Sequence, residues 1–378
     1  MFAVLLAALA PTAAEAQSAT SVTLTPSASD VTYGDAVTLS GATDPATPAE
    51  TVEIRDETET VLATATTDAN GAYSLALEPQ RSIDVHAVWR TVASAPVHIG
   101  VRAVVSARLT DVRLFDTATV RGWVSPAHPG EKVEVVLTLA GNVLATRRPV
   151  IAADGTYGAT FPIRRTGTYR VRVRFSDADL LRGAASAGPV SPPLPSLREG
   201  SDGVFVKLLE HRLVALHYRL VGVNERYDER TADAVLAFRK VQGMQRVFTV
   251  DAAMWRALAD PRVPRPRVDV KRFHFEVDQA HQVLYAVEGG EITDILHIST
   301  GKPSTPTRDG SFRVYGKIAG LTGGGLYYPS YFDGLRALHG YIEVPTYAAS
   351  HGCVRIPYWN AKWVYRHAPI GTQVIVYH

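Results

Sequence analysis

The sequence predicts a multidomain, mainly β protein with two small β-sandwiches, a small three-helix domain and a β-rich C-terminal domain. The chain has 378 residues, which is about two to three times the usual length of one domain. Hydrophobic residues make up 46% and charged residues 20%, a composition that can bury sizeable cores. Apolar and polar residues alternate over most of the chain, and the period becomes helical only within residues 201–260.

Residues 1–19 are predicted to be a signal peptide or an N-terminal anchor. The wholly apolar run Phe2 to Ala10 is shorter than the roughly 20 residues that cross a bilayer. It leads to Ala14-Glu15-Ala16, which has the small-residue pattern of a signal-peptide cleavage site. A signal peptide normally begins with positive charge, whereas the first basic residue here is Arg55. The alternative is an apolar N-terminus that frays; we expect secretion, and no other membrane span is predicted.

Residues 20–100 and 101–190 are predicted to be two related β domains. Residues 35–41 (DAVTLSG) recur as residues 116–122 (DTATVRG), and residues 50–54 (ETVEI) recur as residues 131–135 (EKVEV), both at an offset of 81 residues. A repeat built from several short strands is typical of tandem β-sandwiches, and both halves resemble bacterial immunoglobulin-like domains. Neither half contains a cluster of titratable groups, so we expect a spacer rather than a ligand-binding site.

Two proline-rich linkers, residues 191–200 and 261–267, enclose a predicted helical domain at residues 201–260. Asp228 is the expected N-cap of the middle helix, and Gly243 is its expected stop. The apolar positions of the three helices are Val206, Leu209, Leu213 and Leu216, then Thr231, Ala234, Val235, Phe238 and Val241, then Trp255 and Leu258.

This spacing resembles the three-helix peptidoglycan-binding domain found beside many cell-wall enzymes. Arg239 stands where that family usually has Gln, and Arg246-Val247-Phe248 replaces its usual Asp-Gly turn. The resemblance implies a module that binds the glycan of the cell wall. The net charge of +2 supplies no broad field for nucleic acid or an anionic membrane, so no nucleic-acid partner is expected.

The chemistry is expected in the C-terminal domain, residues 268–378. This segment holds seven of the twelve histidines and the only cysteine, Cys353. A single cysteine excludes intramolecular disulfides and zinc sites that need two or more thiolates. Cys353 lies between His351 and Arg355, and nearby cations favour the nucleophilic thiolate.

His339 is the candidate partner of the thiol, because it lies near the end of a predicted strand that stops at Gly340. A Cys and a His brought together form a nucleophile and a general base, which predicts acyl transfer. One alternative is a buried, inert cysteine. Another is a metal site of His339, His351 and Cys353, for which a second ligand set and carboxylate partners are not evident. We therefore expect no metal and no cofactor.

The segment Ser350-His351-Gly352-Cys353-Val354-Arg355 resembles the signature of the L,D-transpeptidase catalytic domain. His339-Gly340 stands in the place of the upstream His-Gly of that family. The resemblance covers nearly all of the last 111 residues. Its further marks are Val277-Asp278, Gln282 to Tyr285, Gly289, Ser299-Thr300-Gly301, Thr305-Pro306-Thr307 and Gly310-Ser311-Phe312.

This resemblance implies a role for each motif residue. Cys353 would be the nucleophile and His339 its proton acceptor and donor, with the carbonyl of Gly340 orienting the imidazole. His351 and Gly352 would shape the pocket, and backbone N–H groups near the thiol would stabilise the oxyanion. Two residues are assigned to substrate binding, Ser350 and Arg355, with a structural ion pair as the alternative for the arginine.

The reaction implied by the resemblance begins with thiolate attack on a stem tetrapeptide of peptidoglycan, after the L-centre of its third residue. D-Ala leaves, and a thioester remains on Cys353. The side-chain amine of a third-position diamino acid on a neighbouring stem then forms a cross-link, whereas water as acceptor would make the enzyme an L,D-carboxypeptidase. Two other interpretations stay open: a catalytically weak wall-binding scaffold, and a cysteine peptidase of ordinary proteins.

Overall fold

The computed structural model describes residues 20–378 and has, over that range, 27 β-strands and four α-helices. The predicted signal peptide or anchor at residues 1–19 lies outside the described residues. Within residues 20–378, no helix combines the length and the apolar character needed to cross a membrane. The structure is mainly β, as the alternating pattern predicted.

The chain folds as two compact units. One comprises the described residues up to Thr110 together with Thr119–Phe161 and Thr168–Val190. The other comprises Asp111–Ala118, Pro162–Gly167 and Ser191–His378. The second unit therefore contains the helical segment, the C-terminal domain and two short segments from the second predicted β domain.

The first ten strands form two sheets around one apolar core. They are β1 (Ser21–Val22), β2 (Thr25–Pro26), β3 (Asp30–Thr32), β4 (Val37–Asp44), β5 (Thr51–Asp56), β6 (Val61–Thr66), β7 (Ala72–Leu77), β8 (Ile83–Trp89), β9 (Val92–Ala93) and β10 (Val97–Arg102). One sheet has the order β1-β4-β2 with β7 on β4, and the other has the order β3-β10-β8-β5-β6 with β9 on β8. Alternate residues of β8 are buried, and Trp89 at its end is fully enclosed.

The next eight strands form a similar pair of sheets. They are β11 (Val104–Val105), β12 (Arg108–Thr110), β13 (Thr117–Ser125), β14 (Glu134–Leu139), β15 (Asn142–Arg147), β16 (Thr156–Pro162), β17 (Tyr169–Phe175) and β18 (Gly183–Val190). The sheet orders are β11-β13-β12 with β16 on β13, and β15-β14-β17-β18. One contact recurs in both halves: Tyr73 donates to the carbonyl of Thr23, and Tyr157 donates to the carbonyl of Ser106.

The three helices predicted from apolar spacing are present. They are α1 (Val204–Ala215), α2 (Glu229–Val241) and α3 (Ala252–Ala259). The side chain of Asp228 accepts from the N–H groups of Arg230 and Thr231 and so caps α2, as predicted. Asp251 caps α3 by accepting from the N–H of Met254. Gly243 follows α2 with a φ of 66°, the left-handed geometry that ends many helices.

The C-terminal domain has two sheets and one helix. Its elements are β19 (His274–Asp278), β20 (Val283–Glu288), β21 (Glu291–His297), β22 (Gly310–Arg313), β23 (Gly316–Lys317), β24 (Tyr327–Asp333), β25 (Arg336–Tyr341), β26 (Val354–Pro357), α4 (Tyr358–His367) and β27 (Gln373–Tyr377). The larger sheet has the order β21-β20-β19-β27-β22, and the smaller sheet has the order β23-β24-β25-β26.

Strand β20 is buried on both faces and so belongs to two cores. Val283, Tyr285 and Val287 pack in one core with apolar side chains of the three helices. Leu284 and Ala286 point the other way, into a core shared with β25, β26 and α4. The helical segment and the C-terminal domain are therefore joined by a common apolar layer.

The proline-rich segment 261–267 contains no helix or strand, and its ends are fixed by hydrogen bonds. The side chain of Gln242 accepts from the Arg262 N–H at 2.8 Å and donates to the Arg262 carbonyl at 2.9 Å. The buried carboxylate of Glu276 accepts from the N–H groups of Arg267 and Val268 at 2.8 and 3.2 Å. This linker is held against the structure on either side of it.

The glycines and tyrosines of Gly320 to Tyr331 predict a loop, but the tyrosine-rich end of this sequence is a strand. Residues Tyr327–Asp333 form β24, which pairs with β25. Aromatic side chains favour a pleated, half-buried surface, and the adjacent strand supplies the hydrogen-bonding partner. Only residues before Tyr327 have the loop structure that the glycines predicted.

A glycine in β25 provides a test of this packing. A Cβ atom at Gly340 would lie 2.6 Å from Cβ of Ala361 and 3.1 Å from Cβ of Tyr327. We expect Gly340→Ala to lower the stability of the C-terminal unit by about 1–3 kcal/mol, because overpacking forces the backbone to move. Calorimetric unfolding measures this loss. Gly316→Ala is the matched control, since its nearest neighbour would be 3.9 Å away; equal shifts for both variants would contradict the packing argument.

Candidate active site

Parallel pairing of β25 with β26 places the two candidate catalytic side chains on one face. His339 pairs with Arg355, and Leu338 pairs with Val354. Cys353 directly precedes β26, two positions before Arg355. Side chains two positions apart in a strand point to the same face. Arg355 is therefore the direct neighbour of His339 on that face, and extending the register by one residue, to Cys353 opposite Ala337, puts Cys353 on the same face, as the diagonal neighbour of His339.

The imidazole of His339 is buried and held in one tautomer. Its Nδ1 lies 2.9 Å from the carbonyl oxygen of Gly340. A carbonyl only accepts, so Nδ1 carries the hydrogen and Nε2 keeps a lone pair. Burial lowers the pKa of His339 to about 4, and the charge of Arg355 acts in the same direction while the bond to Gly340 opposes it. Near pH 7 the imidazole is neutral and able to accept a proton.

The Cys353 thiol is partly buried, with Sγ 3.6 Å from the carbonyl oxygen of Leu335. Burial raises the thiol pKa above its ordinary value, while the Ala337 backbone and the charges of Arg336 and Arg355 pull it down by less. Arg355 does favour the thiolate, as expected from the sequence, but desolvation outweighs it and the net shift of the thiol pKa is upward. Cys353 and His339 rest as a neutral pair.

The turn that carries Cys353 is fixed by short hydrogen bonds. The buried hydroxyl of Ser350 donates to the Cys353 carbonyl at 2.6 Å and accepts from the Gly352 N–H at 3.0 Å. Gly352 has a φ of 112°, a conformation that favours glycine. Ser350 was predicted to bind substrate, but both of these bonds go to the backbone of its own turn, which favours a role in shaping it.

The family marks Ser299-Thr300-Gly301 and Thr305-Pro306-Thr307 line this turn from the other side. The N–H groups of Ala349 and Ser350 both donate to the Thr300 carbonyl at 2.9 Å. The hydroxyl of Thr307 donates to the Gly352 carbonyl at 3.0 Å, and that of Thr305 donates to the Ser350 carbonyl at 3.1 Å. These sequence marks hold the cysteine turn in place.

The remaining predicted site residues differ in exposure. The Arg355 guanidinium lies 4.3 Å above the ring of Tyr341, which in turn meets the His339 imidazole edge to face at 5.7 Å. Arg355 is half-buried, and its Nη1 lies 3.5 Å from the Glu343 carbonyl. His351 is exposed on the turn.

Three charged residues near the cysteine turn were not predicted. Arg336 forms an ion pair with the buried carboxylate of Asp333 at 3.0 Å, and Arg308 bonds to the same carboxylate. The Arg336 side chain packs against Gly352, where a Cβ would lie 2.9 Å from its Nε. Arg336 precedes His339 by three positions, and residues three apart in a strand point to opposite faces, so no sequence signal placed it beside the cysteine turn.

The comparisons with known proteins concern this domain. The sequence model of the YkuD family, the L,D-transpeptidase catalytic domain, matches residues 272–376. Residues 272–376 are an L,D-transpeptidase catalytic domain. No curated protein matches the chain.

Solved L,D-transpeptidase structures resemble the chain to different extents. A structure of residues 123–326 of the L,D-transpeptidase from Xylanimonas cellulosilytica is 33% identical, covers 50% of this chain and 100% of its own, and has a TM-score of 0.46. The L,D-transpeptidase from Stackebrandtia nassauensis is 21% identical over 48% of this chain and 95% of its own, with a TM-score of 0.31. The C442S mutant of the Enterococcus faecium L,D-transpeptidase is 26% identical over 29% of this chain and 50% of its own, with a TM-score of 0.26.

The pH dependence of thiol alkylation tests the electrostatics of this L,D-transpeptidase site. Burial raises the thiol pKa, so we expect the iodoacetamide rate at Cys353 to keep rising with pH beyond the ordinary thiol pKa of about 8.5. Arg336→Gln removes a cation that lowers this pKa and should move the profile further upward. Arg313→Gln, on β22, is the control and should leave the profile unchanged. A wild-type midpoint well below pH 8 would contradict the neutral resting pair.

Proposed function

We propose that this protein is a peptidoglycan L,D-transpeptidase that joins the third residues of neighbouring stem peptides through a thioester on Cys353. The observation that carries the proposal is the placement of Cys353 and His339 on one face of two paired strands, in a domain of that family. His339 has the tautomer and the lowered pKa that a proton acceptor needs near pH 7.

The first half-reaction acylates the enzyme. As Sγ of Cys353 attacks the carbonyl carbon of the third stem residue, its proton passes to Nε2 of His339. The carbonyl π electrons move to oxygen, which becomes an oxyanion. When the oxyanion collapses, the C–N bond to D-Ala breaks, and His339 returns the proton to the departing amine.

The oxyanion needs preformed hydrogen-bond donors. The Gly352 N–H already donates to Ser350, so within this turn we assign the role to the N–H of Cys353. Loss of one such donor costs about 3–4 kcal/mol of transition-state stabilisation in well-studied hydrolases. Ser350 and Thr307 act here indirectly, because they fix the turn that aims the N–H.

The second half-reaction transfers the acyl group. The side-chain amine of a diamino acid on a second stem attacks the thioester carbonyl and gives its proton to His339. The C–S bond then breaks, and the thiol recovers the proton. Arg355 lies on the same face as the reacting groups and is held over Tyr341, so we assign it to substrate positioning, with His351 at the exposed edge of the pocket.

The rest of the chain fits an enzyme of the cell envelope. We propose that the two N-terminal pairs of sheets are immunoglobulin-like spacers and that the helical segment contributes affinity for the wall polymer. Such modules raise the local concentration of the catalytic domain at its substrate. Secretion follows from the location of peptidoglycan.

Intact-protein mass spectrometry with a disaccharide tetrapeptide tests the covalent step. Wild-type protein should gain the mass of the acyl group with release of D-Ala and later yield a cross-linked dimer. Cys353→Ala should give no adduct, because the nucleophile is absent. His339→Gln should slow acylation by about 10²–10⁴-fold, the usual contribution of a general base.

His98→Gln, at an exposed histidine of the N-terminal unit, is the matched control and should react like the wild type. D-Ala release with tripeptide as the sole product would assign the enzyme as a carboxypeptidase. An unmodified wild-type thiol and no released D-Ala would refute the proposal and favour the wall-binding scaffold.

A further inference from the structure

The segment between the two catalytic side chains is held by the helical segment. Residues 342–353, which we name the crossover loop, lead from β25 to β26 and contain no helix or strand. The path of such a loop depends on contacts made by its backbone. Besides the carbonyl groups of Ser350 and Gly352 described above, those of Val344, Thr346 and Tyr347 accept side-chain hydrogen bonds from outside the loop.

The first contact begins at Lys240, in the last turn of α2. Its buried ammonium donates to the carbonyls of Gln282 and Ile298 at 2.9 and 3.0 Å and reaches Nδ1 of His297 at 2.7 Å. These three acceptors match the three hydrogens of an ammonium. The C-terminal end of α2 is thereby fixed to the start of β20, through Gln282, and to the end of β21, through His297 and Ile298.

His297 transmits this contact to the crossover loop. Because Lys240 donates to Nδ1, the hydrogen of the neutral ring lies on Nε2, which is 2.8 Å from the Val344 carbonyl. Both residues are almost fully buried, and burial lowers the pKa of His297. The ring therefore has one donor and one acceptor, and each has a defined partner.

A second contact from the helical segment reaches the loop independently. Arg246 donates from Nη1 to the Thr346 carbonyl at 3.2 Å and from Nη2 to the Ala280 carbonyl at 2.7 Å. Phe248 packs edge to face on His297, at a ring separation of 6.5 Å. Both residues belong to the Arg246-Val247-Phe248 sequence that distinguishes this segment from the wall-binding pattern.

We propose that Lys240 and Arg246 are positioning residues of the active site, which set the crossover loop and through it the alignment of Cys353 with His339. The expected effect of these two residues on the rate of acylation rests on the proposed acyl transfer, whereas their expected effect on the conformation of the loop does not. The helical segment is accordingly an integral part of the catalytic unit.

Two measurements on four variants test the proposal in the full chain. Lys240→Met and Arg246→Ala remove the two contacts; Lys207→Met and Arg256→Ala are matched controls elsewhere in the helical segment. The first measurement is single-turnover acylation by a tetrapeptide stem fragment. Its amplitude gives the fraction of protein with a competent site, and its rate constant reports the alignment of Cys353 with His339. The second is hydrogen exchange of the Ala349 and Ser350 N–H groups of the loop, which donate to the Thr300 carbonyl; it needs no activity.

We expect Lys240→Met to lower the acylation rate constant at least tenfold per competent site and Arg246→Ala about threefold. Exchange in the loop should rise in both variants but not in β27, and both controls should match the wild type. A merely structural role would lower the amplitude and leave the rate constant unchanged, which would overturn the proposal.

The outcomes stay separable from those of the proposed function. If the wild type forms no thioester, the proposed function fails, and unchanged loop exchange in Arg246→Ala would then overturn the positioning role while increased exchange would support it. If Lys240→Met does not fold, Arg246→Ala decides, because its side chain lies nearer the surface and its loss leaves no buried charge.

Discussion

Strands β25 and β26 run in parallel, so the chain between them must travel back along the full length of the pair. Parallel connections usually need about a dozen residues or more and commonly use a helix, which supplies its own hydrogen bonds. Here the crossover loop has neither helix nor strand, and its backbone is fixed from outside. The cysteine turn at its end is held by Thr300, Thr305 and Thr307, and its middle by Ser299, His297 and Arg246. The relative position of Cys353 and His339 depends on this external support.

The burial of Lys240 shows what kind of interaction supplies that support. Removing an ammonium from water costs several kcal/mol, and each hydrogen bond from a charged donor returns about 1.5–3 kcal/mol. Burial nevertheless lowers the pKa of Lys240 well below its ordinary value, so the three bonds do not fully offset the desolvation and Lys240 is not a source of net stability. The apolar core that β20 shares with the helices contributes most of the stability. Lys240 fixes the position of the end of α2, because its three hydrogen-bond partners lie at the ends of β20 and β21.

Local sequence signals predicted the local parts of this structure. Apolar spacing and the caps at Asp228 and Gly243 predicted the helices, because these signals act within one turn of the chain. The cysteine motif and the upstream histidine predicted the residues that now share one face. The contact of Lys240 with Ile298 spans 58 positions, and no periodicity records such a pairing. Lys240 was therefore indistinguishable from a solvated lysine at a helix end.

The upward shift of the Cys353 thiol pKa also depends on the fold and is not visible in the sequence. The sequence shows that His351 and Arg355 lie near Cys353, but it does not show how much of the thiol is withdrawn from water. In the fold His351 points to solvent and burial outweighs Arg336 and Arg355. The sign of a shift is set by the larger of two opposed effects, and only one of them is visible in the sequence.

A neutral resting pair also changes how the reactivity of the site is controlled. A standing thiolate is the form that oxidants and adventitious electrophiles attack, so a protonated thiol is protected from both. In the acyl transfer proposed above, the proton has to leave the thiol as the substrate arrives, and the acceptor must be correctly placed at that moment. Proton transfer then depends on the relative position of the two groups. Nε2 of His339 must face the thiol, and the turn that carries Cys353 must stay in place. Within the domain, the imidazole is fixed by its hydrogen bond to the Gly340 carbonyl, and the turn is fixed by the hydrogen bonds that Ser350 and Thr307 donate to its backbone. A site that relies on alignment in place of a preformed thiolate has a physical reason to recruit the helical segment as part of its framework.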